Sequence, residues 1–295
     1  MPKWTRQRLN TPDGDFIDVD WRKDEIDLSP ERPLVILFHG LEGSSSSHYA
    51  QAFAHETHQR GWHMAVPHFR GCSGEINWAP RAYHSGDFEE VGWILSRIRE
   101  QHRGPLYAVG ISLGGNALMR WAGEMGQTAT KYVDAIASVC SPIDLTASGK
   151  AIDAGINKWL YARMFLGTMK PRAMEKLKQF PGLFNPHTLM AAKSLYEFDQ
   201  VFTAPLHGFK NTDDYWARAS AKPGLSRVQV SALVLNACND PFIPASSLPA
   251  LNQVSAWVKL CQPEAGGHVG FASGTFPGDL QEMPWAVTDW MSQHG

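Results

Sequence analysis

The 295-residue sequence has little cysteine, and the cysteines it has are scattered. Its four cysteines are Cys72, Cys140, Cys238 and Cys261, and no two of them form a C-x-x-C pair. This spacing is unlike that of zinc sites and disulfide frameworks, both of which use closely placed or regularly spaced thiols. We therefore expect buried, reduced thiols and no metal.

Long apolar runs and clusters of one charge are also absent. No run of eighteen apolar residues exists to cross a bilayer, and the polar opening MPKWTRQRLNTPDGD lacks the apolar core of a signal peptide. Lys and Arg total 27 against 29 Asp and Glu, for a net charge of -2, without a basic cluster. The sequence thus predicts a soluble, cytoplasmic protein with no stable membrane insertion and no nucleic-acid partner. Its oligomeric state stays open.

What the sequence does contain is a recurring pattern of buried strands. Such strands are continuous apolar runs, and they are typical of parallel sheets that helices cover on both faces. Amphipathic stretches of helical period, such as GDFEEVGWILSRIREQ, separate several of the runs. The sum is an α/β fold with a mostly parallel sheet flanked by helices. The candidate strands are PLVILFHG, HMAVPHF, PLYAVGIS, DAIASVCS and SALVLNAC, with VSAWVKLCQ as an alternating strand and RQRLNTPDGDFIDVDWR as an edge hairpin.

One segment breaks the alternation of strands and helices. From Ile143 to about Arg227 the pattern is helical and rich in methionine and aromatic residues. We expect one domain over 1–295, with 143–227 inserted as a helical cap above the sheet's C-terminal edge. Helical packing without a functional lid is the alternative. The residues that suggest an apolar acyl pocket, or simply a core, are Trp159, Tyr161, Met164, Phe165 and Met169.

Ser112 lies in the pattern G-x-S-x-G, framed by Gly110 and Gly114. The preceding run LYAVGI predicts a strand, and the following run NALMRWAGEM predicts a helix. A nucleophilic serine needs this context, because a tight strand-to-helix turn with small neighbours lifts its hydroxyl clear of the sheet. We therefore predict that Ser112 is a nucleophile.

A serine nucleophile needs a histidine base, and on this kind of turn the order along the chain is serine, acid, histidine. Two histidines follow the last buried strand. His268 lies in the glycine-flanked loop EAGGHVGF, whereas His294 is the penultimate residue. A histidine between paired glycines is placed on a loop rather than in a core element, so we predict His268 as the base.

Asp240 is the predicted acid that orients the histidine. It follows the strand ALVLNAC and precedes Pro241, so it stands on a compact loop at a strand's C-terminal end. A plain turn aspartate is the alternative explanation. Asp144, after the preceding strand, is the main rival. Weaker candidates in the helical segment are Asp199, Asp213 and Asp214.

Two backbone donors are needed to stabilise the oxyanion that acyl transfer creates. One is the N–H of the residue after the nucleophile, Leu113. The other is the N–H of Leu41, in the loop FHGLEGSSSS after an early strand. We expect His39 to brace this loop rather than to take part in the triad.

These motifs together resemble the α/β-hydrolase superfamily. More closely, the chain is similar to bacterial YheT-like candidate esterases and to ABHD1/ABHD3-type and plant EMB8-like relatives. The resemblance places Ser112, Asp240 and His268 at the family's triad positions. It also implies a bacterial enzyme that hydrolyses carboxylic esters without a metal or organic cofactor. The segments that carry it are TPDGDFIDVDW, LFHGLEGSSSSHYA, HFRGCSGE, YHSGDFEE, VGISLGGNAL, FDQVFTAPLHGFKNTDDYW, NDPFIP and GGHVGF.

One departure from the family concerns the start of the chain. Members of this group usually carry an N-terminal segment before the first hairpin, whereas this sequence begins almost at the hairpin. We expect either a naturally short protein or a missing start.

The predicted function is that of a serine hydrolase that cleaves a small-molecule ester with an apolar acyl chain, through an acyl-enzyme intermediate. An acyltransferase or thioesterase with the same triad is one alternative. A non-catalytic ligand-binding protein on a hydrolase scaffold is another. For Arg70, Cys72, His84 and Asp87, bracing of the scaffold is favoured over orientation of the substrate.

Overall fold

The computed structural model describes residues 2–22, 31–274 and 278–295. Within these residues, eight strands form one sheet in the order β1-β2-β4-β3-β5-β6-β7-β8. The strands are β1 (Trp4–Asn10), β2 (Phe16–Arg22), β3 (Leu34–Phe38), β4 (His63–Pro67), β5 (Leu106–Ile111), β6 (Ala135–Val139), β7 (Ser231–Leu235) and β8 (Val258–Cys261).

The sheet is mostly parallel, as the apolar runs predict. Strands β3 to β8 pair in parallel, while β1 and β2 form an antiparallel hairpin at one edge. Alternate residues of β3 face opposite sides of the sheet, so Ile36 joins one buried cluster and Leu37 joins the other. Both faces are therefore covered, which explains why the strands carry continuous apolar sequence.

The last strand is shorter than the alternating pattern indicates. It begins at Val258 rather than at Val254. The reason is a competing set of hydrogen bonds: the Ser255 N–H donates to the Leu225 carbonyl at 3.2 Å, and the Ser255 hydroxyl donates to the Val228 carbonyl at 2.6 Å. These bonds tie the residues before β8 to a neighbouring segment instead of to β7.

Four long helices pack on the two faces of the sheet. Helices α2 and α3 contribute to one buried cluster, and α1 and α11 to the other. The segment between β6 and β7 is helical and has two smaller apolar clusters of its own. The helices are α1 (His48–Gln59), α2 (Phe88–Arg99), α3 (Leu113–Met125), α4 (Leu145–Ile152), α5 (Gly155–Asn157), α6 (Arg163–Gln179), α7 (Pro186–Ala191), α8 (Leu195–Val201), α9 (Thr203–Leu206), α10 (Thr212–Ala219) and α11 (Glu282–His294).

Helices α5 and α6 are joined by a π-helical turn over Lys158–Ala162, so that 155–179 runs as one rod. A π turn holds more residues than an α turn and shifts the side chains after it around the axis. No helix in the described part of the chain combines the length and the apolar character needed to cross a membrane.

Candidate active site

Ser112 occupies a strained turn between β5 and α3. Its φ of 51° and ψ of -118° lie in a region that residues with a side chain rarely adopt. Packing enforces this turn. A Cβ on Gly110 would lie 2.4 Å from the Cα of Gly115, and a Cβ on Gly114 would lie 2.4 Å from the Phe38 carbonyl oxygen. No side chain fits at Gly110 or Gly114, because other backbone atoms lie too close. The turn places the Ser112 hydroxyl at the C-terminal edge of the sheet.

His268 joins Ser112 to Asp240. Its Nε2 lies 3.1 Å from the Ser112 Oγ, and its Nδ1 lies 2.8 Å from an Asp240 Oδ2. The carboxylate side chain is fully buried, and the imidazole is 18% exposed. An ionised carboxylate accepts only, so it fixes the proton on Nδ1 and leaves Nε2 free to accept the serine proton. Such an arrangement can perform general-base catalysis.

Asp240 follows β7 on a loop that holds it from a second side. The Phe242 N–H donates to its Oδ1 at 2.8 Å. The Phe242 ring lies 4.4 Å, between centroids, from the imidazole of His268. Phe242 is not among the predicted site residues, although it stands in the segment NDPFIP that resembles the family.

Cys140 holds the loop that carries the histidine. Its Sγ lies 3.6 Å from the Gly267 carbonyl oxygen and accepts from the Val269 N–H at 3.3 Å. The thiol therefore contacts the residues on both sides of His268. Burial raises the pKa of Cys140 to about 12, which keeps the thiol protonated. No local pattern around Cys140 indicates this role.

The same thiol could belong to a set of metal ligands. The donor atoms of Cys140, Asp240 and His268 lie within 4.8 Å of one another. A metal there would require a thiolate and would displace the proton that Nδ1 donates to Asp240. The high pKa of the thiol and the short Nδ1 contact favour the hydrogen-bonded arrangement.

The rival acid and base candidates have other partners. Asp144 caps α4, where its Oδ1 accepts from the Ala147 N–H at 3.0 Å. His294 contacts the Trp290 carbonyl at the end of α11. Within the helical segment, Asp199 accepts from the Trp216 indole at 2.9 Å. Asp213 accepts from the Tyr196 hydroxyl, and the Asp214 carboxylate accepts from the Lys210 N–H. The Asp214 N–H donates to the Asn211 Oδ1, which caps α10.

The loop after β3 lies against the serine turn. Gly40 is so close to Ser112 that a Cβ on the glycine would meet the serine Cβ at 3.3 Å. Leu41 and Leu113 both border the cavity that Ser112 borders. Leu113 is the first residue of α3, where the backbone N–H has no intrahelical acceptor. These positions are compatible with two donors aimed at one oxyanion.

His39 braces the same loop. Its Nδ1 donates to the Gly40 carbonyl at 2.7 Å, and its Nε2 accepts from the Phe69 N–H at 3.1 Å. Complete burial lowers the pKa of His39 to about 3, so the ring is neutral. Both nitrogens are engaged in backbone contacts, as expected of a structural residue.

Arg70 lies in a buried ionic network on the hairpin side. It donates to Asp15 at 2.6 Å and to Glu90 at 2.5 Å. Arg81 pairs with Asp87 beside it. Burial and the nearby Asp87 charge raise the pKa of Glu90 to about 7. Arg70 and Asp87 thus brace the scaffold, although Arg70 also borders the cavity.

Cys72 links this region to α6. Its Sγ accepts from Arg172 at 2.9 Å, and the same guanidinium lies 3.3 Å from Glu42. Tyr83 in turn donates to Glu42 at 2.7 Å. Burial raises the pKa of Cys72 to about 12, so this thiol is not a nucleophile. The expectation of buried thiols is confirmed for Cys72 and Cys140 but is wrong for Cys238 and Cys261, which are exposed.

The cavity beside Ser112 has a volume of about 160 Å³ and is walled mainly by apolar side chains. Phe165 and Met169 border it, as expected. The pocket prediction is wrong for Trp159 and Met164, which are exposed. It is also wrong for Tyr161, which packs against the Phe242 ring and does not border the cavity. His84 also borders the cavity, with its ring against that of His207.

Comparison with known proteins decides the family. The sequence profile of the alpha/beta hydrolase fold matches residues 33–275. The chain belongs to the α/β-hydrolase family. This α/β hydrolase is 36% identical over 99% of its length to "Putative esterase YheT" of Escherichia coli (strain K12), of which 85% is covered. It is 29% identical over 93% of its length to "Phospholipase ABHD3" of Mus musculus, of which 68% is covered.

Solved structures agree on the fold. The esterase Pf2001 of Pyrococcus furiosus superposes on the α/β hydrolase with a TM-score of 0.60 at 15% identity, covering 100% of this chain and 94% of that one. Mouse alpha/beta hydrolase domain-containing protein 10 gives a TM-score of 0.60 at 13% identity, with 99% and 100% covered. Relatives named as an esterase and a phospholipase support a hydrolase.

Proposed function

We propose that this α/β hydrolase is a serine esterase in which Ser112, His268 and Asp240 form the catalytic triad. The observation that carries the proposal is the continuous contact from the serine Oγ through the imidazole to a buried carboxylate. The strained backbone of Ser112 supports it further, because such strain persists where the surrounding structure holds a functional group in place.

The proposed reaction has two steps. His268 takes the proton from the Ser112 Oγ as that oxygen bonds to the ester carbonyl carbon, and Asp240 stabilises the imidazolium. The N–H groups of Leu41 and Leu113 stabilise the tetrahedral oxyanion. The alkoxide then leaves with the proton from His268. Water attacks the acyl-enzyme, His268 takes its proton, and the carboxylic acid is released as Ser112 regains its hydrogen.

We further propose that 143–227 acts as a cap on a single domain and supplies the acyl-binding wall. Phe165 and Met169 come from this segment, and both border the cavity next to Ser112. A cavity of about 160 Å³ is close to one of ~150 Å³ that takes up benzene. We therefore propose short and medium acyl chains as the best substrates. The phospholipase name of the mouse relative makes a phospholipid ester one member of the class.

Acyl transfer is the second candidate. A relative from Saccharomyces cerevisiae, 29% identical over 89% of this chain and covered over 61% of its own length, is named "Medium-chain fatty acid ethyl ester synthase/esterase 2". In transfer, an alcohol replaces water in the second step. The two reactions are separated by supplying ethanol with an activated medium-chain ester and measuring the ratio of ethyl ester to free acid.

The direct test of the nucleophile is labelling by a fluorophosphonate probe followed by peptide mapping. We expect the label on Ser112, and no label on Ser112→Ala. Ser292→Ala, at an exposed position in α11, serves as the matched control and should label normally. Ester turnover should fall roughly 10⁴-fold or more in Ser112→Ala. An unlabelled, folded wild-type protein would contradict the proposal and favour the non-catalytic binding protein.

A further inference from the structure

The rod formed by α5, the π turn and α6 carries large apolar side chains on its outer side. Ile156, Trp159, Leu160 and Met164 are 81%, 78%, 57% and 54% exposed. We call these four residues the outer ridge. They recur at spacings of three and four residues, so they share one side of the rod. Contiguous exposed apolar surface of this kind marks an interaction site.

The opposite side of the same rod is apolar as well. Tyr161 and Phe165 pack against Phe242, with ring centroids 4.5 and 5.9 Å apart. Phe165 and Met169 border the cavity. A surface helix normally turns mainly polar side chains to water. At its N-terminal end this rod instead exposes four large apolar side chains beside Lys158 and Arg163.

The charge around the outer ridge has one sign. Residues 154–164, which hold the ridge, contain Lys158 and Arg163, both exposed, and no Asp or Glu. Further along the rod, Lys170 binds backbone carbonyls and Arg172 contacts Glu42. The whole segment 143–227 has twelve Lys and Arg against seven Asp and Glu, although the full chain has a net charge of -2. Basic residues beside an apolar face that includes a tryptophan are the signature of a helix that lies on an anionic lipid surface.

We propose that the outer ridge docks the protein on the surface of an anionic lipid bilayer. The apolar side chains would enter the boundary between headgroups and acyl chains, while Lys158 and Arg163, both exposed, would meet the anionic headgroups. A second copy of the chain is a poorer occupant. A symmetric contact through the same ridge would bring the basic residues of both copies together.

Docking would place the substrate pocket close to the lipid. The rod is one helix thick, about 10 Å, and its inner side borders the cavity beside Ser112. Asn157 also ties the rod to the loop of the acid, because its Nδ2 donates to the Pro241 carbonyl at 2.8 Å. This proposal concerns binding and stands whether or not the chain hydrolyses esters.

The test is co-sedimentation of the full chain with vesicles of phosphatidylcholine containing about one third phosphatidylglycerol. It uses the Ser112→Ala background, so that hydrolysis cannot alter the lipid. We expect binding that weakens with added salt and with pure phosphatidylcholine. The double variant Trp159→Glu/Leu160→Glu should lose at least tenfold in partition coefficient. Trp257→Glu, at a tryptophan 54% exposed outside the rod, should bind as the parent does.

Tryptophan fluorescence gives an independent readout that does not depend on a charged substitution. Vesicles should shift the emission of the parent to shorter wavelength, and Trp159→Phe should remove that shift while still sedimenting. Three results would overturn the proposal: no vesicle binding, equal loss in Trp257→Glu, or a dimer in solution that the double variant dissociates. The last result would assign the outer ridge to a second copy.

Discussion

His268 is engaged through both ring nitrogens, and each contact has a different consequence. The bond from Nδ1 to Asp240 selects the tautomer that carries its proton on Nδ1. In that tautomer, Nε2 can accept the hydrogen of the Ser112 hydroxyl. In the proposed mechanism, the aspartate matters because it keeps the proton on the nitrogen that faces away from the serine. The effect of Asp240 on catalysis can therefore be measured separately from its effect on folding.

Replacing Asp240 by Asn should remove this selection. An amide can donate to Nδ1, which leaves the proton on Nε2, where it cannot accept from Ser112. We expect kcat to fall about 10⁴-fold while KM changes little. Steady-state kinetics on a short-chain ester will check this, with a thermal unfolding curve to verify folding. Activity within tenfold of wild type would argue that another group orients the histidine.

In the proposed mechanism, Cys140 positions His268 from outside the cavity, through the residues on either side of it. Cys140→Ala removes the contacts to Gly267 and Val269, so the imidazole becomes less well placed, and kcat should fall roughly tenfold at constant KM. Cys140→Ser keeps a hydroxyl donor and acceptor and should recover most of the rate. Cys261→Ala, an exposed cysteine in β8, is the matched control. Equal kcat in Cys140→Ala and wild type would refute the positioning role.

At the scale of elements, the edge hairpin is fastened to the rest of the fold by buried charge. Arg70 connects Asp15, just before β2, to Glu90 in α2. The side chains of all three are almost fully buried. A buried ion pair adds little to the free energy of unfolding by itself. Removing one partner, however, leaves the other charges buried and unpaired, which is strongly destabilising. We therefore expect the attachment of the hairpin to the fold to depend strongly on Arg70.

Arg70→Met should lower the free energy of unfolding by about 3–5 kcal/mol. Urea denaturation followed by circular dichroism measures this change. The control is Arg97→Met, whose pair with Glu100 is about half exposed and whose loss should cost under about 1 kcal/mol. If the two variants lose equal stability, the network does not fasten the hairpin.

Local patterns allow the strands and the serine turn to be predicted, because a strand buried on both faces and a glycine-flanked turn are encoded within a few residues. The contact between Cys140 and the histidine loop joins positions more than 120 apart, and only the assembled sheet edge creates it. The apolar character of Trp159 and Met164 predicts a place in the pocket, but it does not say which side of the rod faces the cavity. The triad itself stays a prediction.

At the scale of the whole molecule, three neutral histidines link stability to pH. Burial lowers the pKa of His39, His84 and His207 to about 3. In the unfolded chain each returns to ~6.5. Between pH 6.5 and 3 the unfolded state therefore binds protons that the folded state does not. The free energy of unfolding must fall as the pH falls through this window.

Buried acids act in the opposite direction. Burial raises the pKa of Asp199 to about 6 and that of Glu90 to about 7. The folded state holds these protons at a pH where the unfolded state has released them, so each acid favours folding as the pH falls from about 7 towards ~4. The histidine contribution must therefore be isolated by substitution.

The double variant His84→Gln/His207→Gln should show a weaker acid dependence. Each histidine contributes at most about 1.4 kcal/mol per pH unit below its unfolded pKa. We expect the stability difference between wild type and variant to change by up to about 3 kcal/mol per unit between pH 6 and 4. Urea unfolding at several pH values measures it. Parallel curves for the two proteins would show that these histidines do not stay neutral in the fold.

The separation of Ser112 and His268 along the chain also sets when the protein can first react. The two residues are 156 positions apart, and Asp240 lies between them. A chain under synthesis holds the serine turn long before the loop of the base exists. In the proposed mechanism, the growing polypeptide is chemically inert toward esters until residue 268 has been added and the loop around it has folded. A chain cut short at any point before residue 268 therefore carries an unreactive serine.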